Sequence, residues 1–335
     1  MLLVLLYLTA LVAESVAPHS VQERFPEQQF HPPTVVRVVD RDGGWHLPFI
    51  YETQTELDPV AFRYETTVPT DAERIPVRLF VKSEKYELLG FIPMERKLIG
   101  TPEGDPPLLL LGTDELGRDL FSRIVTASRV SLLVGLAGVA ISFVLGVGLG
   151  GISGFFGGRV DAVIQRSIDF LMSIPLIPLW MALSAAIPRG WSGIQTYLAI
   201  TVILSLVGWT GLARVVRGKI ISLREEDYVT AAKISSASNS KIIGKHLLPG
   251  VTSFLIVHIT LAMPGMILGE TTLSFLGLGI TAPDVSWGTL LQASQDVTVV
   301  ANYPWLLLPA VVLVYAVVLF NFVGDGLRDA ADPYS

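Results

Sequence analysis

Five histidines, His19, His31, His46, His246 and His258, are the only imidazoles in a chain of 335 residues that has no cysteine. None stands in an HExxH or similar metal-ligand spacing, and no thiolate is available as ligand or nucleophile. No G-x-S-x-G elbow is present. Gly112-x4-Gly117 has the outline of a phosphate loop, but Arg118-Asp119 stands where Lys-Ser/Thr is needed, so no nucleotide cradle follows. These residue types offer no constellation for making or breaking bonds, and no catalytic residue, metal site or cofactor is expected in this chain. They do place ionisable groups in apolar runs. Glu270 follows Val251–Gly269, where a charge is costly and should face protein or a water-filled path. It is the candidate polar group beside a translocation path. His258, twelve residues earlier and about 18 Å away along a helix, is too far to pair with it and reads as a packing histidine.

The elements that must position these groups follow from composition. Hydrophobic residues make up 51% of the chain and charged residues 16%, with a mean hydropathy of +0.55 and a pI near 5.4. Soluble domains carry about 25% charged residues, so an ordinary soluble enzyme is excluded, and the acidic balance argues against nucleic acid as a partner. Residues 14–130 hold 13 basic and 19 acidic residues, the whole net charge of -6. The remainder is neutral and falls into blocks of the length a bilayer demands, about 20 residues each: 131–156, 168–187, 194–213, 251–268 and 304–323. Residues 1–17 are expected to form a first span whose cytoplasmic lead-in is missing from this chain, in preference to a signal peptide. The fold class is therefore an all-α integral membrane bundle of about six transmembrane helices. A small β-rich extracytoplasmic insert is expected within 18–111, with a hairpin of Val35–Asp40 and Trp45–Tyr51 and a strand at Val77–Lys82.

Orientation comes from the short loops. The 214–249 connection carries Arg214, Arg217, Lys219, Arg224, Lys233, Lys241 and Lys245, whereas 277–303 carries no Lys or Arg. The first is therefore placed in the cytoplasm and the second outside, with both termini cytoplasmic and 18–130 extracytoplasmic. Residues 112–130 read as an amphipathic helix on the outer membrane face, capped by Thr113 or Asp114. The 131–335 region is the bilayer-embedded core. In it Gly138, Ser142, Gly146, Gly150, Gly154 and Gly158 recur every four residues, a stripe that lets a second helix approach closely, either as packing within one subunit or as a sliding surface. Pro175 and Pro178 should kink the third span, and Asp169 sits near its cytoplasmic end.

The 214–249 loop is long for a turn and helical in pattern. Within it Tyr228-Val229-Thr230-Ala231-Ala232, Ser236-Ala237-Ser238, Ile242-Ile243 and His246-Leu247-Leu248-Pro249 resemble the EAA loop of binding-protein-dependent ABC importers. Two positions depart from that pattern: Thr230 replaces the usual glutamate and Ser236 the usual glycine. Gly112-Thr113-Asp114-Glu115-Leu116-Gly117-Arg118-Asp119, Leu273–Gly279, Ser286-Trp287-Gly288 and Phe320–Asp329 with Asp332-Pro333 extend the likeness. Over Gly112–Pro333 the chain resembles the C-type permease of the dipeptide/oligopeptide/nickel importer family. The resemblance implies a type I ABC importer permease. Its partners would be a homologous B-type permease, two ATP-binding subunits that bind ATP and magnesium, a periplasmic solute-binding protein and the lipid bilayer of a bacterial inner membrane. It also implies a coupling role for Thr230, Ala231, Ala232, Ser236, Ala237, Leu248 and Pro249. Peptides or similar small solutes would be the cargo. An ion-coupled secondary transporter is the alternative, but no inverted repeat or midplane ion site supports it.

Overall fold

A computed structural model describes residues 1–188 and 190–331; Asp332 and Pro333 lie outside the described residues. The chain divides into two compact units, Met1–Ser131 with Ile280–Tyr315, and Leu132–Gly279 with Ala316–Ser335.

In the first unit, helix α1 covers Leu2–Leu11. Ten residues rise about 15 Å, half the thickness of a hydrocarbon core. Arg129 holds its end, donating from Nε to the Ala10 carbonyl (3.0 Å) and pairing with Glu14. The polar segment folds as short antiparallel strands. Strands β1 (Arg37–Val39), β2 (Trp45–Tyr51) and β5 (Arg74–Pro76) form one sheet in the order β1-β2-β5, and two hairpins follow, β3 (Gln54–Asp58) with β4 (Arg63–Thr67) and β6 (Arg78–Leu88) with β7 (Ile92–Gly100). The β1–β2 turn is closed by Asp40, whose Oδ1 accepts the Asp42 and Gly44 amides at 3.0 and 2.7 Å. Gly43 supplies the left-handed φ of +83° that the turn requires. Ile50 and Ile75 lie opposite each other in the sheet and bury against Leu108, a small core that leaves Trp45, Leu47, Phe62 and Leu79 of the same segment exposed.

Residues 112–119 are not helical. They form a tight knot around Asp114. Its Oδ1 accepts the Leu116 and Arg118 amides (2.9 and 3.0 Å), and its Oδ2 takes Arg118 Nε (2.8 Å) and Arg123. Helix α2 begins only at Leu120, and the cap is Asp119, whose Oδ2 accepts the Ser122 amide at 2.9 Å. The expected separate amphipathic helix capped by Thr113 or Asp114 is thus corrected. Asp114 is saturated by its own loop and Arg123, so its carboxylate is not free to cap, and α2 runs unbroken over Leu120–Phe156. Its 37 residues rise about 55 Å, more than a ~30 Å hydrocarbon core, so the charged first turns need not enter lipid.

Two further pieces complete this unit: α8 (Trp287–Gln292), capped by Ser286, whose hydroxyl accepts from the Thr289 amide, and α9 (Val297–Asn302), capped by Asp296. An aromatic clamp joins its distant parts. Phe30 stacks on Tyr303 with ring centres 4.0 Å apart, the Tyr303 hydroxyl accepts the Tyr64 amide at 2.8 Å, and Trp305 Nε1 donates to the Thr113 carbonyl at 3.0 Å.

The second unit is helical: α3 (Gly158–Ser173), α4 (Leu176–Ala185), α5 (Gly193–Leu223), α6 (Asp227–Ile234), α7 (Thr252–Phe275) and the later part of α10 (Leu308–Ala331). Among the described residues four helical stretches are long and apolar enough to cross a membrane: Leu120–Phe156, Gly193–Leu223, Asn239–Phe275 and Pro304–Ala330. Counting α3 with α4 makes five, against about six expected. The expected single span over 168–187 is broken, with α3 and α4 meeting at 86°. Ile174 precedes Pro175 and is driven to extended backbone (ψ 129°), and Pro175 then opens the next helix. Of the two prolines expected to kink the span, Pro175 instead separates one helix from the next, and Pro178 sits in the first turn of α4. Arg214–Leu223, expected to begin the loop, continues α5.

Candidate functional site

The segment after α5 builds the most distinctive surface of the second unit. Three residues after the Arg224 cap, α6 starts with Asp227 in its first turn and ends with Lys233 in its last, both favourable to the helix dipole. Val229 is fully buried in a cluster with Leu212, Val216, Ile220, Ile242 and Leu247, and Ala232, Ala237 and Leu248 pack against it. Small side chains at 232 and 237 let the short helix lie close to the Ile242–Leu247 turn. The end of α6 is a Schellman motif: the Ser236 amide donates to the Lys233 carbonyl (3.0 Å) and the Ala237 amide to the Ala232 carbonyl (3.1 Å). The motif needs a left-handed residue, and Ser236 occupies it at φ +56°. Glycine suits such a position, which is the physical reason an EAA loop prefers glycine there.

The seven residues singled out in this loop therefore divide. Ala232, Ala237 and Leu248 turn inward, whereas Thr230, Ala231, Ser236 and Pro249 are exposed. Three more belong with them and carried no separate signal: Val229, the buried anchor, and Tyr228 and Ile234, which are 45% and 80% exposed. The i, i+3 spacing of Val229 and Ala232 on the buried side, leaving Ile234 on the other, was readable as a helix face. After Ser238 the chain passes through Asn239–Lys241, a π-helical turn at Ile242–Leu247 and a 3₁₀ turn at Leu248–Val251 before α7.

The glycine stripe of α2 faces α5 of the same chain. A Cβ at Gly146 would lie 2.9 Å from the Leu212 side chain, at Gly150 2.5 Å from the Ala213 carbonyl oxygen, and at Gly154 2.7 Å from the Arg217 carbonyl oxygen. Ser205 Oγ donates to the Gly138 carbonyl at 3.1 Å. The stripe is thus intrachain packing along most of its length. Gly158 is corrected: it has nothing within 4 Å of a Cβ, because α2 has ended and Gly157–Gly158 form the turn into α3. Below the stripe, Asp161 takes Arg217 through Nε and Nη2, both at 2.5 Å, and Asp169 pairs with Arg214. Two of the basic residues counted toward the loop are therefore neutralised by acids of α3.

A cavity of about 430 Å³ opens in this unit, lined by Trp180, Gly208, Thr210, His258, Gly265 and Met266 among others. Glu270 does not line it. It is fully buried, and Ser274 Oγ donates to its Oε1 at 2.6 Å. The i, i+4 hydroxyl turns the carboxylate toward its own helix. The ionisable side chain on the cavity wall is His258, which sequence reasoning set aside as packing.

Long apolar helices, a broken helix pair and an exposed short helix between two long ones describe a multi-pass membrane subunit. The chain matches, over residues 146–334, the family of binding-protein-dependent transport system inner membrane components, and it belongs to that family. It is 39% identical over 223 residues to the oligopeptide transport system permease protein OppC of Bacillus subtilis (strain 168), covering 66% of this chain and 70% of that protein. The dipeptide transport system permease protein DppC of the same organism is 40% identical over 223 residues, covering 66% and 68%. OppC of Haemophilus influenzae is 41% identical over 226 residues, covering 66% and 69%. Among solved structures, an inward-facing MetNI methionine ABC transporter is similar at 19% identity and a TM-score of 0.48, over 63% of this chain and 96% of that one. The protein is a multi-pass inner-membrane permease subunit of an ATP-driven importer, a transport subunit rather than an enzyme, working with ATPase and partner subunits.

Proposed function

We propose that this permease forms half of a path for short peptides, paired with a homologous B-type subunit and served by two ATP-binding subunits and a periplasmic binding protein, as a type I importer. Peptide cargo is the reading favoured by relatives whose names are oligopeptide and dipeptide permeases. The 214–249 loop lies in the cytoplasm with both termini, and residues 18–130 lie outside.

The observation that carries the coupling role is the architecture of α6. Val229 and Ala232 fix the helix to the α5 cluster while Tyr228, Thr230, Ala231 and Ile234 are left outward. An exposed isoleucine on a short, firmly seated helix suits a groove on an ATPase subunit, and a push there is passed into α5 and α7 through the shared core. ATP and magnesium act in those partners. Glu270 contributes from behind the path, as a buried group fixed by Ser274, and His258 takes the position facing it.

The chain has no cysteine, so Ile234→Cys introduces a single thiol. In the assembled importer it should cross-link to an ATPase subunit, with yield changing on ATP addition, whereas Leu198→Cys, on the apolar face of α5, should not. Equal cross-linking from both positions, or none from Ile234→Cys, would sink the coupling assignment.

A further inference from the structure

A second cavity, of about 540 Å³, lies wholly within the first unit, between the Asp114 knot and the 282–299 segment. Its volume is in the range of small-molecule sites. Arg123 lines it and is only 7% exposed. One Nη of this guanidinium pairs with Asp114, but among the described residues its Nε has no hydrogen-bond partner. An unpartnered buried donor on a cation is costly and suits an arriving carboxylate, the geometry in which arginine excels. Asp114 cannot serve a further cation, since three donors of its own loop and the Arg123 Nη already occupy it. The other carboxylates on the wall are Glu115, Asp284 and Asp296. Asp296 spends Oδ1 on the Thr298 and Val299 amides, while Glu115 and Asp284 are exposed. The cavity thus offers an anion-seeking donor and separate cation-seeking acceptors, with Leu290, Val299 and Leu306 among its apolar lining. That combination fits a zwitterion whose charges are separated by a short neutral body.

We propose that this cavity is a binding site on the permease itself for a short peptide with free termini, its carboxylate at Arg123 and its ammonium at Asp284. The site rests on the peptide-importer reading and adds to it a contact made before the bilayer-embedded path is entered.

The test uses the complete importer in nanodiscs, without binding protein, and radiolabelled tri-alanine as probe. Saturable binding is expected in the wild type. Arg123→Lys, which keeps a cation beside Asp114 but removes Nε, should weaken it about tenfold or more, and should not further weaken C-terminally amidated tri-alanine. Asp284→Asn should weaken tri-alanine but not its N-acetylated form. Absence of saturable binding in an importer that still takes up tri-alanine with its binding protein would overturn the site and leave the peptide reading standing. Equal losses for free and blocked peptides would also overturn it, as they report a merely structural role. If the wild-type importer takes up no tri-alanine at all, the peptide reading falls and the site with it.

Discussion

Replacing Ser236 by glycine should stabilise the end of α6. Ser236 holds φ +56° at the position where the Schellman motif turns left-handed. An L-residue there costs about 1–2 kcal/mol, and glycine returns about 0.5–1 kcal/mol of that as a greater loss of chain entropy on folding. The net gain is about 0.5–1 kcal/mol, which at RT of about 0.59 kcal/mol is a two- to fivefold shift in local opening. The amides that report it are those of Ser236 and Ala237, which donate to Lys233 and Ala232. Hydrogen exchange followed by mass spectrometry on the peptide covering 230–240 should slow by that factor in the Ser236→Gly subunit. Ser236→Ala should leave the rate near wild type, because alanine carries the same Cβ, and Ser236→Val should speed it, because a β-branched residue tolerates this region poorly. Exchange in Ser236→Gly as fast as wild type, with Ser236→Val also unchanged, would refute the claim that the left-handed position limits the motif.

Gly150→Ala should destabilise the second unit by about 1–3 kcal/mol, as overpacking does, because its Cβ would sit 2.5 Å from the Ala213 carbonyl oxygen. Gly148→Ala, with nothing within 4 Å, should be neutral or slightly stabilising; thermal unfolding in detergent separates the two. His31 is buried, with Nε2 against Thr53 Oγ1 at 2.9 Å, and burial pushes its pKa down from 6.5 to about 4. Its neutral form is the one the fold accepts, so its contribution is complete above pH 6.5 and is lost as pH falls through 4, by about 3 kcal/mol in the limit. Unfolding midpoints between pH 7 and 4 should therefore fall less steeply in His31→Gln than in wild type.

The long apolar blocks were legible because lipid leaves a chain little choice but uninterrupted helices. The α6 segment was legible by resemblance, and the strand-rich nature of 35–100 by its turn residues. What sequence missed was decided by contacts between distant residues. Asp114 looked like a cap because caps are local, but its partners include Arg123, nine positions on, in a helix that Asp119 starts instead. Ile174-Pro175 announced a bend but not its size, since a proline can kink a helix or end it. Glu270 was placed beside a path on grounds of cost alone. It is buried with Ser274 of the same helix donating to it, and His258 lines the cavity. The glycine stripe left two readings open, and the Leu212, Ala213 and Arg217 atoms that face it lie more than sixty residues away.

The clamp of Phe30, Tyr64, Tyr303 and Trp305 bears on how the polar segment can be manipulated. Tyr64 sits in the β4 hairpin and Tyr303 immediately before the 3₁₀ turn that leads into α10. The segment is therefore not a detachable module. Excising 35–104 would strip Tyr303 of its Tyr64 partner at the entry to the last helix, and any loss of transport would mix recognition with assembly. Grafting is better served by cutting inside the segment, at the exposed tips such as the 59–62 or 89–91 turns, where insertions leave the clamp in place.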